Sequence, residues 1–148
     1  MENTKYEGLK LDHQLCFPLY AAARSVIRQY TPILDELNLT YTQYIVMMAL
    51  WENHAMTAKE LGACLHLDSG TLTPLLKRMA AAGLLTRSRS TRDERSLVVT
   101  ITEQGMALRD RATDIPAKMA QCSKLTAEEA ATLYTLLYKI LEQDEVEE

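Results

Sequence analysis

Residues 57–101 read TAKELGACLHLDSGTLTPLLKRMAAAGLLTRSRSTRDERSLVVTI, and the pattern of this stretch decides the fold. Leu61 and Leu65 stand four apart on a short helical segment that stops at His66-Leu67. Asp68 and Ser69 then offer side-chain oxygens where a second helix needs to cap its free N–H groups. At about 100° per residue, Leu72, Leu75, Leu76 and Met79 share one face of that helix. Gly70, Pro74, Lys77 and Ala81 point the other way, flanked by Thr71, Thr73 and Arg78, and Gly83 supplies the stop. Two helices joined by a tight turn, the second turning small, hydroxylic and basic residues outward, suit a DNA major groove.

The following residues extend this reading. Leu84–Arg89 and Ser96–Ile101 pattern as two strands, the second alternating Leu97, Val99 and Ile101 against Val98 and Thr100. The connection Ser90-Thr91-Arg92-Asp93-Glu94-Arg95 is too polar for a core. A merely solvated hairpin is the bland alternative. Arg87, Arg89, Arg92 and Arg95, directly after a basic outward face, favour contact with phosphates. The expected fold is mainly α with a small β-hairpin: a winged helix-turn-helix domain whose N- and C-terminal helices form a dimerisation region. One domain is expected over residues 1–148, with the winged helix at about 55–102 and the dimerisation helices at about 11–37 and 103–143.

The block DSGTLTPLLKRM…GLLTRSRS…DERSLVVTIT resembles the winged helix of the MarR family of transcriptional regulators. LDHQLCFPLY near the start and LTYTQYIVMMALWE are similar to its organic-hydroperoxide-sensing, OhrR-type branch. Motifs carry the resemblance from about Leu11 to Ile101, and helix layout carries it through the remainder. Pro18 departs from the pattern, because the family usually has a small non-proline residue there. The resemblance implies a DNA-binding transcriptional repressor, not an enzyme, with no cofactor and no metal.

Composition sets the outer bounds. A chain of 148 residues has room for a genuine core. It shows no signal-peptide pattern and no apolar run long enough to span a bilayer, so a cytoplasmic protein without membrane attachment is expected. Cys16, Cys64 and Cys122 form neither a secreted disulfide framework nor a zinc spacing. Net charge is −4, yet the charge is unevenly placed. Residues 55–102 hold seven Lys/Arg against four acids, and the remaining residues nine against sixteen. A basic reading head on an acidic body still docks on DNA, because local potential governs the approach.

Outside the head, Asp12 is a candidate cap for a helix carrying Leu15, Leu19, Ala22, Ala23, Val26, Ile27, Tyr30, Ile33, Leu34 and Leu37 on one wide stripe. Pro18 and Pro32 interrupt it, so regular helix is expected to start or kink near Cys16. Thr40 or Thr42 caps the next helix, which holds Tyr41, Tyr44, Ile45, Met48, Ala49 and Trp51. Thr102 opens a helix expected to run to about Cys122 with a bend at Pro116. Thr126 to Glu129 is a capping box for a last helix with Leu133, Leu136, Leu137, Ile140 and Leu141, beside Tyr134 and Tyr138. Residues 1–10 and the acidic tail after Glu142 are expected to be loose. The two apolar stripes suggest a two-fold homodimer that presents paired reading helices to half-sites about 34–36 Å apart.

Cys16 is the candidate switch. A lone Cys on an apolar stripe is ordinarily a small hydrophobe. Near a helix N-terminus, however, free N–H groups favour the reactive thiolate. Tyr20 follows one turn later on the same face, and Tyr30 and Tyr41 in the next segments. Along a continuous helix, Tyr30 stands about 21 Å from Cys16, so it reaches a Cys16 only from another subunit. The resemblance places the branch's peroxide-reactive cysteine at Cys16 and brings the equivalents of Tyr30 and Tyr41 from the partner. It also implies that oxidation of Cys16 by an organic hydroperoxide, the inducer, releases the operator. Two-cysteine members take a resolving thiol from the C-terminal helical region, where Cys122 stands; the alternative for Cys122 is a plain helix-end residue. Cys64, beside Leu61 and Leu65, reads as a packing residue, and His13, His54 and His66 as isolated.

Ser69, Thr71, Thr73 and Lys77 are the major-groove candidates, with Pro74 available to a thymine methyl. Arg78 and Arg87 suit phosphate. By resemblance, Arg95 is the wing-tip arginine that enters the minor groove, and Asp93 holds it by a salt bridge. A pseudo-palindromic, A·T-rich double-stranded operator is expected, because narrow minor grooves favour inserted arginine. Two rival readings remain: a regulator of the same family governed by a reversibly bound aromatic ligand, and a thiol peroxidase using Cys16 and Cys122.

Overall fold

The structure is a computed structural model that describes residues 4–142. By its internal packing the chain falls into two compact units, one up to Pro116 and one from Ala117. Both ends of the tail expectations, residues 1–3 and 143–148, lie outside the described residues.

The first unit opens with two short 3-10 turns, Thr4–Leu9 and Leu11–His13, on which Tyr6 and Leu9 are exposed. Helix α1 spans Cys16–Asp35. Asp12 does not cap it: Gln14 turns extended after the second 3-10 turn, and Leu15 takes the N-cap position with no side-chain cap. Pro18 falls in the first turn, where a missing N–H costs nothing. The helix runs on through Pro32 rather than breaking there. Its apolar stripe is buried only at the C-terminal end, at Leu34 and, just beyond, Leu37. Leu15, Leu19, Val26 and Ile27 are bare in the single chain, Leu15 being 81% exposed.

Helix α2, Tyr41–Asn53, is opened by Thr40, whose hydroxyl accepts from the Gln43 N–H while the Gln43 side chain accepts from the Thr40 N–H. Tyr44, Val46, Met47, Ala49, Leu50 and Trp51 are all buried, and Met48 is exposed. Of the apolar residues named on this helix from sequence, Met48 is the exposed one. The helix is surrounded on most sides and is apolar most of the way round.

Strand β1, Ala55–Thr57, precedes α3 (Ala58–Leu65) and α4 (Ser69–Ala81). Strands β2 (Leu85–Arg89) and β3 (Leu97–Ile101) form the expected hairpin, with Arg87 opposite Val99. The sheet has three strands rather than two, in the order β1-β3-β2, because β1 pairs antiparallel along the other edge of β3 with Met56 opposite Val99. Val99 is thus central and fully buried.

Helix α5, Glu103–Arg111, is capped by Thr102, whose hydroxyl accepts from the Gly105 N–H and donates to the Gly83 carbonyl at 2.6 Å. The long helix expected after the wing is interrupted, not bent. It stops at Arg111, and α6 begins at Ile115 and runs to Cys122. Pro116 forces this, since in an unbroken helix its ring would meet the carbonyl four residues back; in the first turn of a new helix it meets nothing. The Arg111 guanidinium donates to the Glu36 carbonyl at 2.8 Å, which fastens α5 to the end of α1.

The second unit contains the rest of α6 and helix α7, Ala127–Leu141. The Thr126–Glu129 capping box is present in both directions. Hydrogen bonds from Thr126 hold the Glu129 carboxyl below its ordinary range. None of the α7 residues is buried, and Leu133, Leu136 and Ile140 are exposed along it.

Candidate functional site

The reading head is built on α3 and α4. Thr57 caps α3 with Glu60 in a reciprocal box, and His66 ends it in the left-handed region at φ 53°. Asp68 occupies the N-cap of α4 in extended geometry, and the Thr71 side chain above all holds its carboxyl below the usual value. Leu72, Leu75, Leu76 and Met79 are buried, as their spacing requires. Ser69, Thr71, Thr73, Pro74, Lys77 and Arg78 are therefore all exposed. Gly83 ends the run at φ 80°, a conformation that strains a residue with a β-carbon.

Arg87, Arg89, Arg92, Asp93 and Arg95 are exposed on the wing. The expected Asp93–Arg95 salt bridge does not form. The Asp93 carboxylate instead accepts from the Arg95 backbone N–H at 3.0 Å and from the Ser96 hydroxyl at 3.4 Å. Ser90 closes the other side, its hydroxyl accepting from the Arg92 and Asp93 N–H groups. A carboxylate two residues before an amide closes an Asx turn more readily than it reaches a long guanidinium of the same turn. Asp93 thus shapes the wing through its backbone. Among the described residues no carboxylate pairs with Lys77, Arg78, Arg87, Arg92 or Arg95, so these cations are uncommitted.

Cys16 is the first residue of α1 and is exposed, flanked by exposed Leu15 and Phe17. Tyr20 is engaged by its neighbour one turn on: the Arg24 guanidinium donates to the Tyr20 hydroxyl at 3.4 Å and lies 5.5 Å from the ring centroid. Because α1 is continuous, Tyr30 lies about 21 Å along the axis from its own Cys16, beyond any hydrogen bond. Tyr30 and Tyr41 do come together, with ring centroids 4.9 Å apart. Tyr44, which sequence reasoning left out of the site, completes the group at 5.9 Å from Tyr30 and 6.4 Å from Tyr41. The signal was there, since Tyr41 and Tyr44 are three apart on one helix. Burial, and then the neighbouring Tyr41, raises the Tyr30 phenol above its ordinary value; burial, then Tyr30 and Tyr41, raises Tyr44. Both hydroxyls therefore stay protonated at neutral pH.

Cys122 closes α6 and is exposed. Cys64 is exposed as well, which corrects its assignment to the core: Leu61 takes the buried position on α3, and Cys64, about 60° round the helix from it, falls outside the covered arc. Among the described residues no cluster of His, Cys, Asp or Glu is placed to hold a metal, and no helix is long and apolar enough to cross a membrane.

The chain is similar in sequence and fold to known DNA-binding regulators. Residues 28–112 match the family model described as transcriptional regulator SarA/Rot. The chain is 49% identical over 142 residues to the organic hydroperoxide resistance transcriptional regulator of Bacillus subtilis, covering 96% of each. It is similar to AbfR of Staphylococcus epidermidis in the reduced form bound to DNA, at 32% identity and a TM-score of 0.76 over 95% of this chain and 98% of that one. The disulfide-formed AbfR matches at 31% identity and a TM-score of 0.66 over 97% and 98% of the two chains.

Proposed function

Since the chain belongs to the MarR family of transcriptional regulators, in its organic-hydroperoxide-sensing branch, we propose that it is a DNA-binding repressor whose grip on its operator is switched by oxidation of Cys16. The observation that carries this reading is the presence of an exposed helix-start thiol and a cluster of phenols that its own chain cannot bring to it. A two-fold partner resolves that separation. Bare apolar residues on α1 and on α7 supply the surface for such a dimer. Tyr30 and Tyr41 of one protomer then donate to the Cys16 thiolate of the other. Tyr20, held by Arg24, borders the site.

In the chemistry, the Cys16 thiolate attacks the outer oxygen of an organic hydroperoxide. The S–O bond forms as the O–O bond breaks, the sulfur loses two electrons, and the alkoxide leaves as the alcohol after taking a proton from water. The product is a sulfenic acid, to which phenol donors fitted to a thiolate no longer conform. The Cys122 thiol of a partner condenses with it, releasing water and forming an intersubunit disulfide. In the reduced dimer Ser69, Thr71, Thr73, Pro74 and Lys77 enter the major groove. Arg78 and Arg87 hold phosphate, and Arg95 at the wing tip enters an A·T-rich minor groove.

The test is to titrate DNA selected from a random pool by the reduced protein, adding cumene hydroperoxide and then dithiothreitol. Release on oxidation and recovery on reduction are expected, together with a reducible dimer band on non-reducing gels that Cys122→Ser loses. DNA retention by fully oxidised protein ends the reading, and a band that persists in Cys122→Ser removes Cys122 from it. On the wing, Asp93→Ala is expected to weaken operator binding about tenfold, on the scale of one or two lost hydrogen bonds, although it removes a negative charge. Unchanged or tighter binding in a gel-shift would show that the turn needs no such tie.

A further inference from the structure

Tyr44 lies between the phenol pair and the base of the winged helix. Its ring is 4% exposed and sits 5.9 Å from Tyr30 and 6.4 Å from Tyr41. On its other side it meets Trp51 edge-on, at 6.3 Å and 68° between planes. Trp51 is 7% exposed, and its indole N–H donates to the Gly105 carbonyl at 2.9 Å. Gly105 is in the first turn of α5, directly after β3 hands over to Thr102. There the backbone has no room to retreat, because the Leu84 carbonyl, Ile101 and Met47 close around the place a β-carbon would take. Buried rings in tilted and edge-on contact do not shift independently. A displacement of Tyr30 or Tyr41 must therefore move Tyr44, and a displaced Trp51 must carry α5 with it or break a buried hydrogen bond.

We propose that Tyr44 is a positioning residue that passes the arrangement of Tyr30 and Tyr41 to Trp51, and through the indole to the start of α5, where the wing's last strand ends. The inference rests on the function proposed above and adds the route by which a change at Cys16 reaches the head. The ring carries the coupling, and the Tyr44 hydroxyl does not. Trp51, the single tryptophan of the chain, reports on it directly.

The experiment uses full-length protein in three forms, wild type, Tyr44→Phe and Tyr44→Leu, before and after cumene hydroperoxide. Cys16 oxidation is followed by mass spectrometry, DNA affinity by fluorescence anisotropy, and Trp51 emission without DNA. In the wild type, Trp51 emission is expected to change in step with Cys16 oxidation. Tyr44→Phe should keep both that change and DNA release. In Tyr44→Leu, Cys16 should oxidise as in the wild type while the ratio of oxidised to reduced dissociation constants shrinks about tenfold, within the range of coupling that single residues carry. A silent Trp51 in oxidised wild type overturns the proposal, as does full release by Tyr44→Leu or loss of release by Tyr44→Phe. If Tyr44→Leu fails to fold, the wild-type emission and Tyr44→Phe still decide. Failure of the thiol switch itself is a separate result: Cys16 would stay unoxidised, or its oxidation would leave DNA bound in every form.

Discussion

Cys16→Ser is expected to bind operator DNA as tightly as the wild type and to stay bound through a hydroperoxide challenge that strips the wild type away. The exchange is close to isosteric, and residue 16 is exposed at the first position of α1, so stability should move by no more than about 0.5 kcal/mol. The chemistry, by contrast, is removed outright. A serine hydroxyl is not ionised at neutral pH and does not accept the peroxide oxygen, so no sulfenic acid forms. If oxidation weakens wild-type binding by a factor in the range of about 5 to 150, the usual span of coupling between two sites, that factor should collapse to about 1 in the variant. Anisotropy titrations with and without cumene hydroperoxide measure both. Equal release of variant and wild type would move the switch off Cys16, to another thiol or to a reversibly bound aromatic ligand.

Gly105→Ala is expected to be the most damaging single methyl in the molecule. A β-carbon at residue 105 would collide with the Leu84 carbonyl, stand 2.8 Å from Ile101 Cγ1 and 3.2 Å from Met47 Cε. Two of these neighbours are fixed, the carbonyl by the Thr102 N–H that donates to it and Met47 by full burial in α2. Relief therefore requires α5 to lift from the sheet, which strains the Trp51 hydrogen bond to the Gly105 carbonyl. Overpacking of this kind costs about 3 kcal/mol, enough to lower the melting temperature by on the order of 10 °C. Thermal unfolding followed by circular dichroism checks it. A melting point within a degree or two of wild type would mean that α5 is not seated as tightly as its geometry indicates. Gly8→Ala, where nothing lies within 4 Å of the added β-carbon, serves as the control and should be nearly silent.

Spacing alone made the reading head legible. Leu72, Leu75, Leu76 and Met79 are buried where the helical period puts them, and the polar candidates opposite are exposed. The stops and caps at Gly83, Thr40, Thr102 and Thr126 were readable for the same reason, since each depends on a few adjacent residues. Features that depend on distant partners were not. Ala55–Thr57 is too short to announce a strand, and becomes one only because β3 offers it a free edge. Met48 and Met47 look alike in sequence, and only the packing of α2 chooses which is covered.

The thiol site divides along the same line. Local sequence placed the start or a kink of a helix near Cys16, put Tyr30 too far along a continuous helix to serve that thiol, and showed that a basic head follows. Those are consequences of helical rise and side-chain chemistry, which a chain carries wherever it folds. Only the tertiary structure decided that Tyr30 of α1 meets Tyr44 of α2, and that the Trp51 indole reaches the Gly105 carbonyl. Each of those is a competition among partners brought together by packing, and its outcome depends on distances that no linear spacing encodes.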